Sequence, residues 1–346
     1  MHDGWVRAVH FAFCGLFLFA ACDPGTPPDD GDAGDAATME LTDAGPIDLI
    51  SHDLRIIVEP SDDGAMLVAA MEGATTSIHM TMYLLTDVDV VNALLHAHSR
   101  GLDVRVVLNR TFPSGTPTND TVFTQLAAAG IGVHWAPSQF ALTHEKLVLI
   151  DAREAWIMTM NATTSSPSSN REYLAVDHEP VDVHDADAIF EADYAGTSYP
   201  SYAGPLLLAP VNAQARLLNL ITHAQHTLDV EDEELSDTGV VNALVGAAGR
   251  GVTVHVVVDS GSLTSAQQAA VTNLMGAGIP VRHLTTPNVH AKAIVADGAL
   301  AYVGSINLTT QSIQHNRELG LITDNTAAVS LVRATITADF NAARSF

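Results

Sequence analysis

"VVNALLHAHSRGLDVRVVLN" at residues 90–109 and "VVNALVGAAGRGVTVHVVVD" at residues 240–259 are one passage written twice, 150 residues apart. In each copy apolar residues recur at helical spacing, from Val90 to His98 and from Val240 to Ala248. Each run stops at Arg-Gly, where glycine readily ends a helix. The β-branched runs that follow, Val104–Leu108 and Val254–Val258, have strand length. The duplication extends in both directions. Upstream, "IHMTMYLLTD" (78–87) aligns with "LDVEDEELSD" (228–237) at the same offset. Downstream, "AAGIGVHW" (128–135) aligns with "GAGIPVRH" (276–283), and "THEKLVLID" (143–151) with "VHAKAIVAD" (289–297), as the offset falls to 148 and then 146. A later helix, about Asp120 to Ala129 and Ser265 to Met275, again ends in glycine before a strand. Strand and helix therefore alternate through both copies, which predicts α/β layers with helices on the sheet faces. Two such halves related by a pseudo-twofold axis would set equivalent loops face to face, as a shared site requires.

The composition is compatible with a large buried core, since hydrophobic residues make up 47% of the 346 and charged residues 16%. Aromatics supply only 5%, so Ala, Val, Leu and Ile must fill that core. The formal charge of -25 weighs against nucleic acid as a partner, because binding to a phosphate backbone rests on Lys and Arg.

The N-terminus reads as an export signal. Arg7 precedes an apolar run through Phe11, Phe13, Leu16 and Phe19, and Ala20-Ala21 lead into Cys22. The run is too short for a permanent bilayer span. Cys after Ala-Ala resembles a bacterial lipobox, so Cys22 is the expected lipidation site, with Phe19 where an aliphatic residue is usual. The only other cysteine, Cys14, lies inside the signal, which excludes a disulfide, a Cys nucleophile and a Cys metal site in the folded part. Residues 23–50 carry eight acidic and no basic residues. Their composition cannot drive folding, and a flexible chain of that length spans roughly 30 Å. The expected organisation is a signal over 1–21, an acidic tether over 22–50, a first repeat over 51–200 and a second over 201–346. The expected location is an exported, membrane-anchored lipoprotein of the periplasm or cell surface, with a monomeric folded part.

After its last strand signal each repeat carries the same pattern: His144-x-Lys146, four apolar residues and Asp151, then His290-x-Lys292, four apolar residues and Asp297. Residues i and i+2 of a strand share a face, so His and Lys would project together. Thr159-x-Asn161 and Gly304-Ser305-x-Asn307 follow, then Asn170-Arg171-Glu172 and Asn316-Arg317-Glu318. With sixteen histidines in the chain, the sharper signal is lysine. Lys146 and Lys292 are the only two, against thirteen arginines, and both occupy the same slot of the repeated pattern. A solvated charge could as well be Arg. A compact ammonium differs from a planar guanidinium, and two of them converging on a phosphoryl group would neutralise its oxygens without crowding.

These residues resemble the duplicated HxKxxxxD signature of the phospholipase D superfamily, which usually continues into Gly-Ser-x-Asn. The resemblance runs from about residue 52 to the end. The second copy, "HAKAIVADGALAYVGSIN", fits throughout, whereas Met158-Thr159 stands where the first copy would have Gly-Ser. Met158 is expected to crowd the phosphate pocket. The resemblance implies an αβαβα sandwich of two pseudo-twofold-related repeats and a two-step displacement. One imidazole attacks phosphorus to form a phosphohistidine. The other protonates the leaving alkoxide and then activates water. By analogy His144 is the nucleophile and His290 the acid/base, although the near-symmetry leaves the reverse open. Glu172 and Glu318 would orient the imidazoles. Asn161, Asn307, Thr159 and Ser305 would bind the substrate phosphate, and Asp151, Asp297 and Gly304 would serve structure. No metal or cofactor is required.

The expected reaction is hydrolysis of a glycerophospholipid headgroup ester to phosphatidic acid. Phosphatidyl transfer of the cardiolipin synthase kind, an extracellular nuclease, and a non-catalytic phosphate- or lipid-binding surface protein are the alternatives. Elsewhere, His96-x-His98 and His223-x-x-His226 read as solvated helix faces rather than metal ligands. "DVEDEE" (229–234) reads as a solvated or site-rim loop after a strand, and Trp135 and Trp156 as core residues.

Overall fold

A computed structural model describes residues 50–113, 118–197 and 201–346. The expected signal, the lipidation site Cys22 and nearly all of the acidic tether lie outside the described residues. The first repeat runs β1 (Leu54–Glu59), α1 (Ala65–Gly73), β2 (Ser77–Met82), α2 (Val88–Ser99), β3 (Asp103–Leu108), α3 (Asp120–Ala128), β4 (Gly132–Trp135), β5 (Lys146–Ile150), β6 (Glu154–Met158), α4 (Ser166–Ser169), β7 (Asn170–Asp177) and α5 (Pro180–Tyr194). The second runs β8 (Leu207–Ala209), α6 (Ala213–His223), β9 (Thr227–Asp232), α7 (Thr238–Gly249), β10 (Thr253–Asp259), α8 (Ser265–Gly276), β11 (Val281–Leu284), β12 (Asn288–Val289), β13 (Lys292–Ala296), β14 (Leu300–Gly304), α9 (Thr310–Gln314), β15 (Glu318–Thr323), α10 (Thr326–Ala342) and β16 (Arg344–Ser345).

Each repeat builds one mixed sheet. The orders are β1-β7-β6-β5-β2-β3-β4 and β16-β11-β10-β9-β13-β14-β15-β8. In both, two parallel crossovers (β2 to β3 to β4; β9 to β10 to β11) meet an antiparallel meander (β5-β6-β7; β13-β14-β15). Strand alternation sorts the side chains. Ile78, Met80 and Met82 face the outer helices with Val148 and Ile150, while Leu147, Leu149, Ile157 and Ala175 face the other sheet. The inner face joins the two repeats in one core together with Ile189 and Phe190 of α5 and Val332 and Ile336 of α10. Helices α6 to α9 cover the outer face of the second sheet. The layers are helix, sheet, central helices, sheet and helix, the sandwich expected. Burial of each such aliphatic side chain contributes roughly 1.5–3 kcal/mol.

The repeated passage behaves as read. Asp87 and Asp237 cap α2 and α7, accepting from Val90 N and Val240 N. Gly101 and Gly251 take φ of 87° and 92° just past the helix ends, a conformation glycine adopts without penalty. Arg100 and Arg250 beside them donate to Ala74 O and Thr222 O, tying helix to neighbouring turn. Trp156 is fully buried, but Trp135 is only partly so, because its strand β4 is a sheet edge where the ring stacks on Phe123 at 4.1 Å. "DVEDEE" departs further from expectation. Residues 229–232 are part of strand β9 itself, and Asp229, Glu231 and Asp232 are buried. They are tolerated there because each has a partner: His255 for Asp229, Tyr173 for Glu231, and Leu308 N and Glu234 N for Asp232. Only Glu233 and Glu234 remain for the rim.

Candidate active site

The site lies where β2 and β3 end and β5 begins, and at the matching ends of β9, β10 and β13. His144 and His290 stand just ahead of their strands rather than on them. What fixes them comes largely from the opposite repeat. Thr143 bridges Arg317 in parallel, and His144 N donates to Arg317 O. Likewise β12 pairs with the start of β7, Val289 opposite Arg171, and His290 N donates to Arg171 O. The lead-in strands are held by the residues that follow or end β3 and β10: Thr143 N donates to Asn109 Oδ1 at 3.0 Å, and Val289 N to Asp259 Oδ1 at 3.1 Å.

The carboxylates are exchanged in the same way. Glu318 of the second repeat accepts from His144 Nδ1 at 2.9 Å, and Glu172 of the first accepts from His290 Nδ1 at 2.9 Å. Both glutamates are fully buried, and Asn170 and Asn316 donate to them at 3.2 Å. With Nδ1 committed, Nε2 of each ring is the atom free to react. The arginines between Asn and Glu also cross over: Arg171 pairs with Asp339 of α10 at 2.5 Å, and Arg317 with Asp193 of α5 at 3.0 Å. Each Asn-Arg-Glu segment thus anchors an opposing helix, supports an opposing histidine and places its carboxylate.

Lys146 and Lys292 are buried, and each Nζ donates to the carbonyl of its own His at 2.6 Å. Their surroundings differ. Lys146 lies 5.0 Å from the centre of the Tyr83 ring, which meets His144 edge-on at 4.5 Å. Burial pushes Lys146 down to about 7 despite the opposing charge of Glu318, with Lys292 adding to the fall. Burial also brings His144 down to about 4, against the pull of Glu318 and with help from Lys146. Lys292 instead pairs with Glu233 at 2.8 Å. Burial opposes its charge, but Glu233 and Glu172 outweigh that and raise it above the usual lysine range. Glu233 occupies the repeat position of Tyr83, and its carboxylate also lies 3.4 Å from His290 Nε2. Neither Tyr83 nor Glu233 was among the expected site residues. The alignment of "MTMYLL" with "VEDEEL" already sets them opposite one another.

Asn161 and Asn307 each leave a buried side-chain Oδ1, an acceptor, without a hydrogen-bond partner; only the Nδ2 of each could donate to a phosphoryl oxygen. Thr159 and Ser305 do not have that freedom, which corrects their expected place at the phosphate. Thr159 Oγ1 donates to Glu172 and accepts from Tyr173 N. Ser305 Oγ donates to Leu319 O and accepts from Leu319 N. Both are fully buried behind the carboxylates because their strands pair closely with β7 and β15. Met158 is likewise corrected. It packs in the outer apolar core with Met80 and Trp156 and pairs with Leu174 across the strands. The equivalent pair in the second repeat is Gly304 and Gly320, where an added Cβ on Gly304 would lie 2.4 Å from Gly320 Cα. Asp151 and Asp297 bind backbone: Asp151 accepts from the N–H groups of Thr75, Thr76 and Ser77, and Asp297 from those of Gln225, His226 and Thr227. His96 and His223 are exposed at helix ends, His96 paired with Glu72. Among the described residues His79, Asp187 and Glu191 converge as metal ligands would, but Arg105 sits against His79 Nε2 at 2.7 Å and Glu191 at 2.6 Å, filling the place of a cation.

The comparisons agree with this duplication. The family model described as "Cardiolipin synthase, PLD-like domain" matches twice, over residues 67–194 and 217–340. The mitochondrial cardiolipin hydrolase of Xenopus tropicalis is 35% identical over 119 residues, which is 34% of this chain and 56% of that protein. The chain thus spans little more than half the length of that relative. Cardiolipin synthase A of Edwardsiella ictaluri (strain 93-146) is 25% identical over 328 residues, covering 79% of this chain and 66% of the synthase. In fold, the chain resembles phosphatidylserine synthase of Haemophilus influenzae Rd KW20, with a TM-score of 0.66 at 12% identity over 87% of this chain and 90% of that one. Two matched copies on a duplicated fold show that the chain belongs to the phospholipase D-like family, whose members act on phosphodiester bonds.

Proposed function

We propose that this protein hydrolyses the headgroup ester of glycerophospholipids, releasing phosphatidic acid through a phosphohistidine. The observation that carries the reading is the exchanged pair of imidazoles, each with Nδ1 on a buried glutamate of the other repeat and each beside a buried lysine. Such a pair can divide the work. One ring forms the N–P bond while the other donates a proton to the leaving oxygen and later takes one from water. The ammoniums and the Nδ2 donors of Asn161 and Asn307 would offset charge on the phosphoryl oxygens. The relatives named above include a cardiolipin hydrolase and a cardiolipin synthase, which supports a lipid phosphodiester as substrate. The formal charge of -25 supports a lipid over a nucleic acid. Among the described residues no helix is long and apolar enough to cross a membrane. Attachment would rest on the expected acylation of Cys22.

The synthase relative favours a second reading, in which an alcohol replaces water as acceptor. Both are tested by incubating the full chain with vesicles of phosphatidylcholine and phosphatidylglycerol and separating the products. Phosphatidic acid with free headgroup is expected. Cardiolipin as the main product would establish transfer instead, and cleavage of DNA without release from either lipid would overturn both readings.

A further inference from the structure

The two half-sites are built alike except where Tyr83 and Glu233 stand. In the first, the centre of the uncharged Tyr83 ring lies 4.5 Å from the centre of the His144 ring, the two planes steeply inclined. In the second, one carboxylate oxygen reaches both Lys292 Nζ at 2.8 Å and His290 Nε2 at 3.4 Å. The groups facing His290 are Glu172 from β7, Glu233 and Glu234 after β9, and Lys292 at the start of the strand that follows it, while His144 acts on Glu233. Two lysines against Glu172 and Glu318 would balance; Glu233 adds a negative charge, and a phosphodiester adds another. The ring that touches the extra carboxylate is His290, through Nε2. Burial works against charge on Glu233, yet His290 and Lys292 hold its carboxyl well below the usual range. His144, brought down to about 4 chiefly by burial, is the ring left neutral with its lone pair available.

We propose that Glu233 is a positioning residue that makes the duplicated site directional: its carboxylate, in contact with His290 Nε2 and Lys292 Nζ and without a counterpart at Tyr83, orients His290 to serve the leaving oxygen while His144 attacks phosphorus. This rests on the phosphohistidine reading above. In the first step the lone pair of His144 Nε2 forms the N–P bond. The P–O bond to the leaving group breaks, its electron pair stays on that oxygen, and the oxygen takes the proton from His290 Nε2. In the second, water gives a proton to His290 Nε2 as its oxygen bonds phosphorus, and the N–P bond returns its electrons to His144.

The test compares two leaving groups on the full chain in single-turnover release. Choline leaves dihexanoyl phosphatidylcholine as an alkoxide that must be protonated, whereas 4-nitrophenolate leaves bis(4-nitrophenyl) phosphate without a proton donor. Glu233→Gln is expected to slow choline release about tenfold or more and to leave nitrophenolate release within about twofold. Glu233→Asp should recover most of the choline rate. In a His290→Asn variant, nitrophenyl phosphate labelled at phosphorus should leave label on His144. Equal slowing of both substrates, label on His290 in a His144→Asn variant, or failure of Glu233→Asp to recover would overturn the role of Glu233. Wild-type chain that turns over both substrates without any trapped phosphohistidine would overturn the underlying two-step reading, a different failure from any of these.

Discussion

Set side by side, the two half-sites agree in the contacts that fix the histidines across the boundary between repeats and differ in much else, including the Tyr173–Glu231 bond, which also crosses and has no counterpart at Leu319 and Thr81. The lead-in bridges, the His–Glu bonds and the Arg–Asp pairs occur twice in matching geometry. At the end of the parallel strand, by contrast, the first repeat has Thr81, Met82 and Tyr83 where the second has Glu231, Asp232 and Glu233. Behind the site, Met158 against Leu174 replaces Gly304 against Gly320. The contacts that hold a histidine and its carboxylate in place are the ones kept in both copies. A residue packed within one half can change if its neighbours change with it, as Met158 shows.

Substitutions at the shared positions should therefore cost most. Lys146→Arg and Lys292→Arg are each expected to lower kcat/KM about a thousandfold, because a planar guanidinium cannot take the place of a buried ammonium that donates to a histidine carbonyl. Near-normal turnover in either variant would break the argument from the two lysines. The halves should separate in their pH dependence. His144, down to about 4, takes a proton below that pH and loses its lone pair, and Lys146, down to about 7, loses its charge as pH rises through neutrality. The rate should fall at both limits, and a kcat/KM profile flat through pH 7 would show that the Lys146 charge is dispensable.

Stability sharpens the same comparison. Arg317 and Asp193 are both fully buried, while Arg171 and Asp339 keep some exposure. Arg317→Met should cost about 3–5 kcal/mol in denaturant titration and Arg171→Met about half that, since the uncompensated carboxylate of the second pair can reach solvent. Gly304→Ala should cost about 2–3 kcal/mol, because its Cβ would fall 2.4 Å from Gly320 Cα and 2.6 Å from Leu319 O. A stable Gly304→Ala protein would mean that the β14–β15 contact can open as it has between Met158 and Leu174. The smallest effects belong to Asp151→Asn and Asp297→Asn, about 1–2 kcal/mol. Asp151 should be the larger, since it takes two threonine hydroxyls besides three N–H groups. Burial opposes both charges, but these donors outweigh it and hold both carboxyls below the usual range. The stability they add is present above the ordinary carboxyl pKa and is lost as pH falls through the depressed one. Both variants should lose less than wild type on acidification.

Much of this was legible from repetition. Repetition and apolar spacing located α2, α3, α7 and α8 to within two residues at either end, though not the central helices α5 and α10, and the lone lysine in each copy marked the site. Three features were hidden for physical reasons. "DVEDEE" reads as solvated because burial of a carboxylate depends on partners such as Tyr173 and His255, which lie far away in sequence. Thr159 and Ser305 carry hydroxyls suited to a phosphate, and only the close pairing of their strands shows that those hydroxyls are spent on Glu172 and on backbone. That Glu172 serves His290 rather than His144 follows from the crossing of the lead-in strands, a property of docking that spacing within one repeat does not encode.

The exchange of glutamates bears on ancestry. If each imidazole borrows its carboxylate from the other half, a single copy of this unit holds a histidine and a glutamate that can never serve each other. An ancestor with one copy would have reacted only as a pair of identical chains, each completing its neighbour. Fusion into one polypeptide would have removed the concentration dependence of that partnership and freed the copies to differ, an aromatic ring in one and a carboxylate in the other, a step that a strictly symmetric pair cannot take on one side alone.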